Sequence, residues 1–239
     1  MKSQKTLIPD GLVLGEAYRS LHDHLEASEV CINNIKVGLI FGISHSKIKK
    51  FRITNFVEGS NKMELKNECR ISDAIVPLGI LKNVEIANSD FEELVFTENN
   101  PVGNALVIEK TTISNKLSFR QVLNEGLISL NQVTIPPSGQ LSIKGANLGK
   151  TNFLLCAFAN ATLDFENSRI TEIFAAGTTF PQKVHLNHIP DYSQAQLAFG
   201  QLQTASQKQG DTIKSLEYQS REVEAHYKSI TWFSKDFFK

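Results

Sequence analysis

Large apolar side chains recur at every fifth position along much of this chain. Ile71, Val76, Leu81, Ile86, Phe91 and Phe96 make one run, and the residues two before them, Cys69, Ala74, Gly79, Val84, Ser89 and Leu94, are small except at Val84 and Leu94. After a slip of two residues the period returns, and Ile108, Ile113, Leu123, Ile128, Val133, Ile143, Leu148, Phe153, Phe158, Leu163 and Ile173 fill eleven of fifteen fifth positions up to Thr178. A helix repeats at 3.6 residues and a half-buried strand at 2, so neither accounts for this spacing. A square coil does. With five residues per side, the central residue and the one two before it point inward, and the other three turn the corner or face water. Four sides give a turn of about twenty residues, and turns stack as parallel strands about 4.8 Å apart. This spacing predicts that Ile113, Val133, Phe153 and Ile173 form one vertical stack.

The small–polar–large unit is clearest in Ala146-Asn147-Leu148, Thr151-Asn152-Phe153 and Ala161-Thr162-Leu163. It resembles the consensus of the pentapeptide-repeat family, and the resemblance covers the stretch from Cys69 to Thr178. It implies a mainly β fold, a right-handed quadrilateral parallel β-helix. The shared residues of that family are core residues, so the resemblance implies a fold and no particular chemistry. Between Leu106 and Leu141 the small position is lost at Lys116, Gln121 and Pro136, which predicts irregular coils. Ser118, Ser138 and Thr178 lie at multiples of twenty and are expected on one face, beside a turn or bulge at Pro136-Pro137-Ser138-Gly139.

Ile43, Ile48 and Ile53 extend the period upstream, so the solenoid is expected over 31–181. Residues 1–30 are expected to form an N-terminal cap, for which Leu14, Tyr18, Leu21 and Leu25 have helical spacing. In 182–239, Ala195, Ala198, Phe199, Leu202 and Ala205 mark one helix and Ile213, Leu216, Ser220, Val223, Tyr227 and Ile230 a second, with Gly210 ending the first and Asp211 capping the second. These predict an antiparallel α-helical hairpin docked on the last coil, with Phe199, Leu202, Leu216 and Val223 shared between its helices. Lys208-Gln209-Gly210-Asp211 with Leu216-Glu217-Tyr218 looks like a single tetratricopeptide-type unit, and is similar to the hairpin that follows the solenoid in some pentapeptide-repeat proteins, where a membrane region can come next.

Lys plus Arg equal Asp plus Glu at 25 each, so no global field recruits nucleic acid or acidic lipid. Cys31, Cys69 and Cys156 are too few and too scattered for a disulfide framework or a zinc cluster, which suits a reducing cytoplasm. Cys69 and Cys156 occupy small inward positions and read as core filler. No signal-peptide pattern and no run of eighteen apolar residues occurs.

Few residues suggest a site. His22-Asp23-His24 offers metal ligands but no further ligand at a usual spacing, and His185 and His188 with Asp191 lie in a linker; neither is expected to hold a metal. Gly145 to Thr151 resembles part of a phosphate loop, but its first glycine is one residue too close. Lys47, Lys49, Lys50 and Arg52 form a local basic patch. Trp232, Phe233, Phe237 and Phe238 stand among Lys228, Lys235 and Lys239, the mixture that a partner groove or a membrane surface selects. No cofactor is expected. The reading is a non-enzymatic scaffold that binds another protein, membrane-associated through its C-terminus, with self-association through the hairpin or a solenoid end also open. The alternatives are a β-helix carbohydrate-active enzyme, against which the sequence shows no clustered Asp and Arg at twenty-residue spacing, and a DNA mimic, for which the charge is too balanced.

Overall fold

Short units that each bury two side chains gain stability only by stacking, and the fold is built by that stacking. The computed structural model describes residues 6–8, 12–14, 19–35, 40–56, 61–78, 81–97, 105–184 and 192–236. Along the chain these form β1 (Thr6–Ile8), β2 (Leu12–Leu14), β3 (Arg19–Asp23), β4 (Leu25–Ile35), β5 (Ile40–Ser44), β6 (Lys47–Phe56), β7 (Asn61–Lys66), β8 (Arg70–Pro77), β9 (Leu81–Ala87), β10 (Asp90–Thr97), β11 (Ala105–Glu109), β12 (Thr112–Arg120), β13 (Leu127–Asn131), β14 (Gln140–Lys144), β15 (Asn152–Leu154), β16 (Thr162–Glu166), β17 (Phe174–Ala176), β18 (Lys183–Val184), α1 (Tyr192–Lys208) and α2 (Thr212–Asp236). Even-numbered strands from β4 onward join β1 and β2 in a ten-stranded sheet, and odd-numbered strands from β3 form an eight-stranded one. Every pairing is parallel, so the molecule is a parallel β-solenoid. In its later coils, bridges joining Thr112, Thr134, Ala157 and Thr179 and joining Leu123, Asn147 and Arg169 add two short sides between the sheets.

Between β8 and β10 the turn has the twenty residues that the five-residue period predicts, Ile71 facing Phe91, but later turns are longer. Leu106 pairs with Ile128, Leu141 with Leu163 and Phe153 with Ala175, each 22 residues away. In the coil that ends at Phe165, three sides follow the small–large rule, with Ala146 and Leu148, Thr151 and Phe153, and Cys156 and Phe158 all buried. The fourth side buries Ala161, Leu163 and Phe165, one inward residue more, and is therefore two residues longer. The slip after Phe96 is one instance of such an insertion, since Phe96 faces Val76 twenty residues earlier and Phe119 twenty-three residues later. It corrects the expected columns: Ile113, Val133, Phe153 and Ile173 are all buried, but Ile113 pairs with Phe91 whereas Phe153 pairs with Leu130 and Ala175. Ser118 likewise aligns with Ser142 and, beyond it, Asp164, while Ser138 lies in the Pro136–Gly139 turn and Thr178 follows β17.

Corners repeat as strictly as strands. Immediately after successive odd strands come His24, His45, Asn67, Asn88, Lys110, Gln132, Leu155 and Gly177, each with positive φ. Close behind sit Ser46, Cys69, Ser89, Thr111, Val133, Cys156 and Thr178, all buried but Thr178, which is half-buried. The hydroxyls of Ser46, Ser89 and Thr111 and the Cys156 thiol donate to the carbonyl two residues earlier, satisfying a group that the corner turns away from the ladder. Leu155 is the poorest fit in the outer column, since a leucine at φ 52° carries a left-handed penalty of roughly 1 kcal/mol and its side chain is 60% exposed. Replacing Leu155 with Asn, the residue at two equivalent corners, should therefore stabilise the protein by about 1 kcal/mol in urea unfolding. A loss of stability would show that Leu155 packs usefully.

At the N-terminal end, the expected helix through Leu14, Leu21 and Leu25 is replaced by β2, β3 and β4; Tyr18 lies outside the described residues. Alternation decides it, because β4 buries Leu25 with Ala27 and then Val30 with Ile32, two alternating pairs five residues apart. The ten-stranded sheet consequently extends upstream of residue 31.

At the other end α1 lies on the last coil. Its buried residues are Ala195, Ala198, Phe199, Leu202 and Ala205, as the sequence predicts. Glutamine amides meet the backbone of that coil. Gln201 Oε1 accepts from the Ile170 N–H (2.6 Å) while its Nε2 donates to the Ser168 carbonyl (2.8 Å). One coil earlier, the same two bonds are made by the Arg169 peptide, which accepts from the Leu148 N–H and donates to the Ala146 carbonyl. Gln209 repeats the arrangement on the Ala175 N–H and Ile173 carbonyl, and Gln194 accepts from the Asn167 N–H. Side-chain amides thus substitute for the missing next coil. Gly210 (φ 77°) closes α1, and Asp211 Oδ1 accepts from the Lys214 N–H to cap α2.

Candidate functional site

The hairpin packs differently from the expected pairing. Phe199 and Leu202 are buried, but Leu216 is 60% and Val223 47% exposed. Toward α1 and the last coil, α2 instead buries Ser215, Tyr218 and Ala225, and Glu222 faces Gly200 so closely that a Cβ there would lie 2.9 Å from Glu222 Oε1. Small residues allow close approach, and Tyr218 supplies the apolar area. Its ring stacks on Phe199 with centroids 6.5 Å apart, and its hydroxyl is hydrogen-bonded to the Phe180 backbone. Burial pushes the Tyr218 phenol up to about 12.

That packing turns the other face of α2 outward. Ile213, Leu216, Val223, Tyr227 and Ile230 are all exposed, and with Ser220 they follow the alternating 3,4 spacing of a coiled-coil seam. Beside the stripe lie Glu217, paired with Lys214, and Glu224, paired with Arg221 and Lys228. The spacing was legible in sequence; its outward orientation was not, because an apolar stripe on a hairpin helix ordinarily faces its partner.

The basic patch is divided by β6. Lys47 and Lys49 are exposed on one wall of an open groove of about 740 Å³ that crosses several coils, lined also by Glu26, Arg70, Asp90 and Glu92. Lys50 is exposed, while Arg52 is partly buried, donates to the Phe51 and Asp73 carbonyls and pairs with the Asp73 carboxylate. Arg52 with Asp73, and Arg70 with Asp90 at 3.9 Å, are acid–Arg pairs across one coil, which the sequence reading did not recognise. Lys62 and Lys66 bridge Glu64 and Glu85 in the same way. The Glu64 and Glu85 carboxylates beside Lys62 hold its ammonium above the usual range, and Lys66 with Lys62 holds Glu85 below its own. Charges of both signs are therefore interspersed along these coils.

Other candidate residues are placed as follows. Trp232, Phe233 and Lys235 lie on the last turns of α2, with their side chains outside the described residues, as are Phe237, Phe238 and Lys239 and the His185, His188 and Asp191 linker. Cys69 and Cys156 are buried core residues whose thiols donate to backbone carbonyls, and burial pushes both up. The Gly145 to Thr151 segment is a pair of coil corners with β15 following, not a loop opening onto a helix. His22-Asp23-His24 gains a neighbour that linear spacing did not reveal: His45, from the next corner, places Nδ1 2.8 Å from Asp23 Oδ1. Among the described residues, no helix is long and apolar enough to cross a membrane. No family model, curated protein or solved structure matches the chain.

Proposed function

We propose that this protein is a non-catalytic scaffold whose solenoid serves as a rigid spacer and whose α2 outer face docks a helix of a partner protein. The observation that carries this is the exposed stripe Ile213, Leu216, Val223, Tyr227 and Ile230 at 3,4 spacing, a pattern complementary to another amphipathic helix. The mixed charges of the solenoid face favour this over a DNA mimic, which needs a single acidic surface. The small–large sides support membership of the pentapeptide-repeat family, and the docked helix pair supports the tetratricopeptide-like reading of the hairpin. Three cysteines without disulfides suit the cytoplasm.

A photo-crosslinking amino acid in place of Ser220, at the centre of the stripe, tests the proposal in cells, with the same probe at Glu92 on the solenoid as control. The expected result is one discrete adduct with a different protein from position 220, abolished by Leu216→Glu with Val223→Glu. Both residues are exposed, so this pair should alter stability by no more than about 1 kcal/mol. An adduct of the chain with itself would replace the partner by a second copy, and lipid adducts would replace it by a membrane surface. Identical products from positions 220 and 92 would end the proposal.

A further inference from the structure

We propose that Asp23, His24 and His45 form a binding site for a first-row divalent transition-metal ion, best matched by Zn²⁺. Coil stacking makes the site. Asp23 ends β3, and His24 and His45 occupy the same corner in successive coils, at φ 53° and 46°. Parallel pairing of Asp23 with Ser44 fixes the offset, and the two imidazoles lie face to face with centroids 5.0 Å apart and planes 20° apart. Asp23 Oδ1 is 2.8 Å from His45 Nδ1, and Asp23 Oδ2 is 3.6 Å from His24 Nε2. One donor atom from each of the three residues lies within 4.8 Å of the others. Zinc bound at about 2.0–2.2 Å to nitrogen and oxygen holds its ligands roughly 3.3–3.6 Å apart in tetrahedral geometry, so small side-chain rotations would close the set.

Three further features fit a metal. The Ser44 hydroxyl donates to Asp23 Oδ1 at 2.9 Å, the kind of outer contact that orients a ligating carboxylate. The side chains of Asp23, His24 and His45 are 57%, 43% and 40% exposed, leaving an entry path and room for water in the remaining coordination position. Two imidazoles and one carboxylate suit zinc, cobalt, nickel or copper rather than calcium or magnesium, which prefer oxygen sets. Left-handed backbone alone can select histidine. It does not account for an aspartate held by a serine between two histidines one coil apart. A bound ion would cross-link the first coils, joining residues 23 and 24 to residue 45.

The test is calorimetric titration of the metal-stripped full chain with Zn²⁺ in a non-coordinating buffer, with Co²⁺ absorption reporting coordination geometry. About one ion per chain should bind, with a raised Tm and no comparable response to Ca²⁺ or Mg²⁺. His24→Asn and His45→Asn keep the left-handed corner acceptable, as Asn67 and Asn88 do in the same column, and each should weaken binding by more than about tenfold. Ser44→Ala should weaken it by about tenfold. His185→Ala with His188→Ala should leave it unchanged. Absence of Zn²⁺ binding by the full chain, or binding that survives both asparagine variants with the fold verified by circular dichroism, would overturn the site.

Discussion

Ending the chain after Val184, without α1 and α2, should convert it into a species that self-associates through its last coil. The full chain covers that edge with amides: Gln201 satisfies Ile170 and Ser168, Gln209 satisfies Ala175 and Ile173, and Lys208 Nζ donates to the Thr171 carbonyl. Without them the last coil presents a parallel edge that another copy can extend. Higher oligomers by light scattering are the expected result; a truncated chain that stays as dispersed and as stable as the full one would show that the hairpin is not a cap. A finer variant separates hydrogen bonding from bulk. Gln201→Leu with Gln209→Leu keeps the helix but leaves two N–H groups and two carbonyls without protein partners. At roughly 1–3 kcal/mol for each group that water cannot reach, docking should weaken by several kcal/mol, seen as faster amide exchange at Ile170 and Ala175. Alkali should loosen the same interface. Because the folded Tyr218 phenol titrates at about 12 and an unfolded one near 10, its stabilising contribution is whole below pH 10 and falls away between pH 10 and 12. The loss should amount to about 3 kcal/mol and disappear in Tyr218→Phe.

Much of this architecture was legible because inward positions are chosen by volume, and volume leaves a periodic mark. Ile71, Phe91, Leu148 and Phe153 announce a coil, and Ala195 to Ala205 announce the buried stripe of α1. The turn length was less legible, since one side with an extra inward residue, as in Ala161, Leu163 and Phe165, shifts every later column by two while preserving the five-residue rhythm inside the coil. Contacts between coils follow this true length. Asp23 and His24 meet His45, Arg52 meets Asp73 and Lys66 meets Glu85 at separations of 19 to 22, none of which linear motif spacing would connect. The glutamine cap was illegible for another reason: a solvent-compatible residue on a helix shows no preference in sequence for a backbone it meets only after docking. The α2 stripe was correctly detected and wrongly oriented, because Tyr218 and small residues formed the better interface with α1.

Phe153→Ala should be the most damaging single substitution in the C-terminal half of the solenoid. Phe153 is fully buried, and its ring packs edge-on against Phe158 at 6.1 Å and Phe180 at 5.1 Å. Across the ladder it faces Leu130 on one side but only Ala175 on the other, so its ring fills space that the next coil leaves open. Parallel pairing on both sides prevents β15 from moving inward to close the resulting cavity. Truncation should therefore sit in the usual Phe→Ala range of about 3–5 kcal/mol, whereas Phe153→Leu should cost about 1 kcal/mol. Phe180 carries the damage onward, since its backbone is hydrogen-bonded to Tyr218 in the hairpin. In a stack stabilised by neighbour contacts the loss is local at first. Hydrogen exchange should accelerate in β15, β17 and α1 while β6, β8 and β10 remain protected, and urea unfolding should acquire an early phase. A uniform loss across all coils would mean that the solenoid unfolds as one cooperative unit, and a loss below about 1 kcal/mol would mean that the coil can collapse around the missing ring.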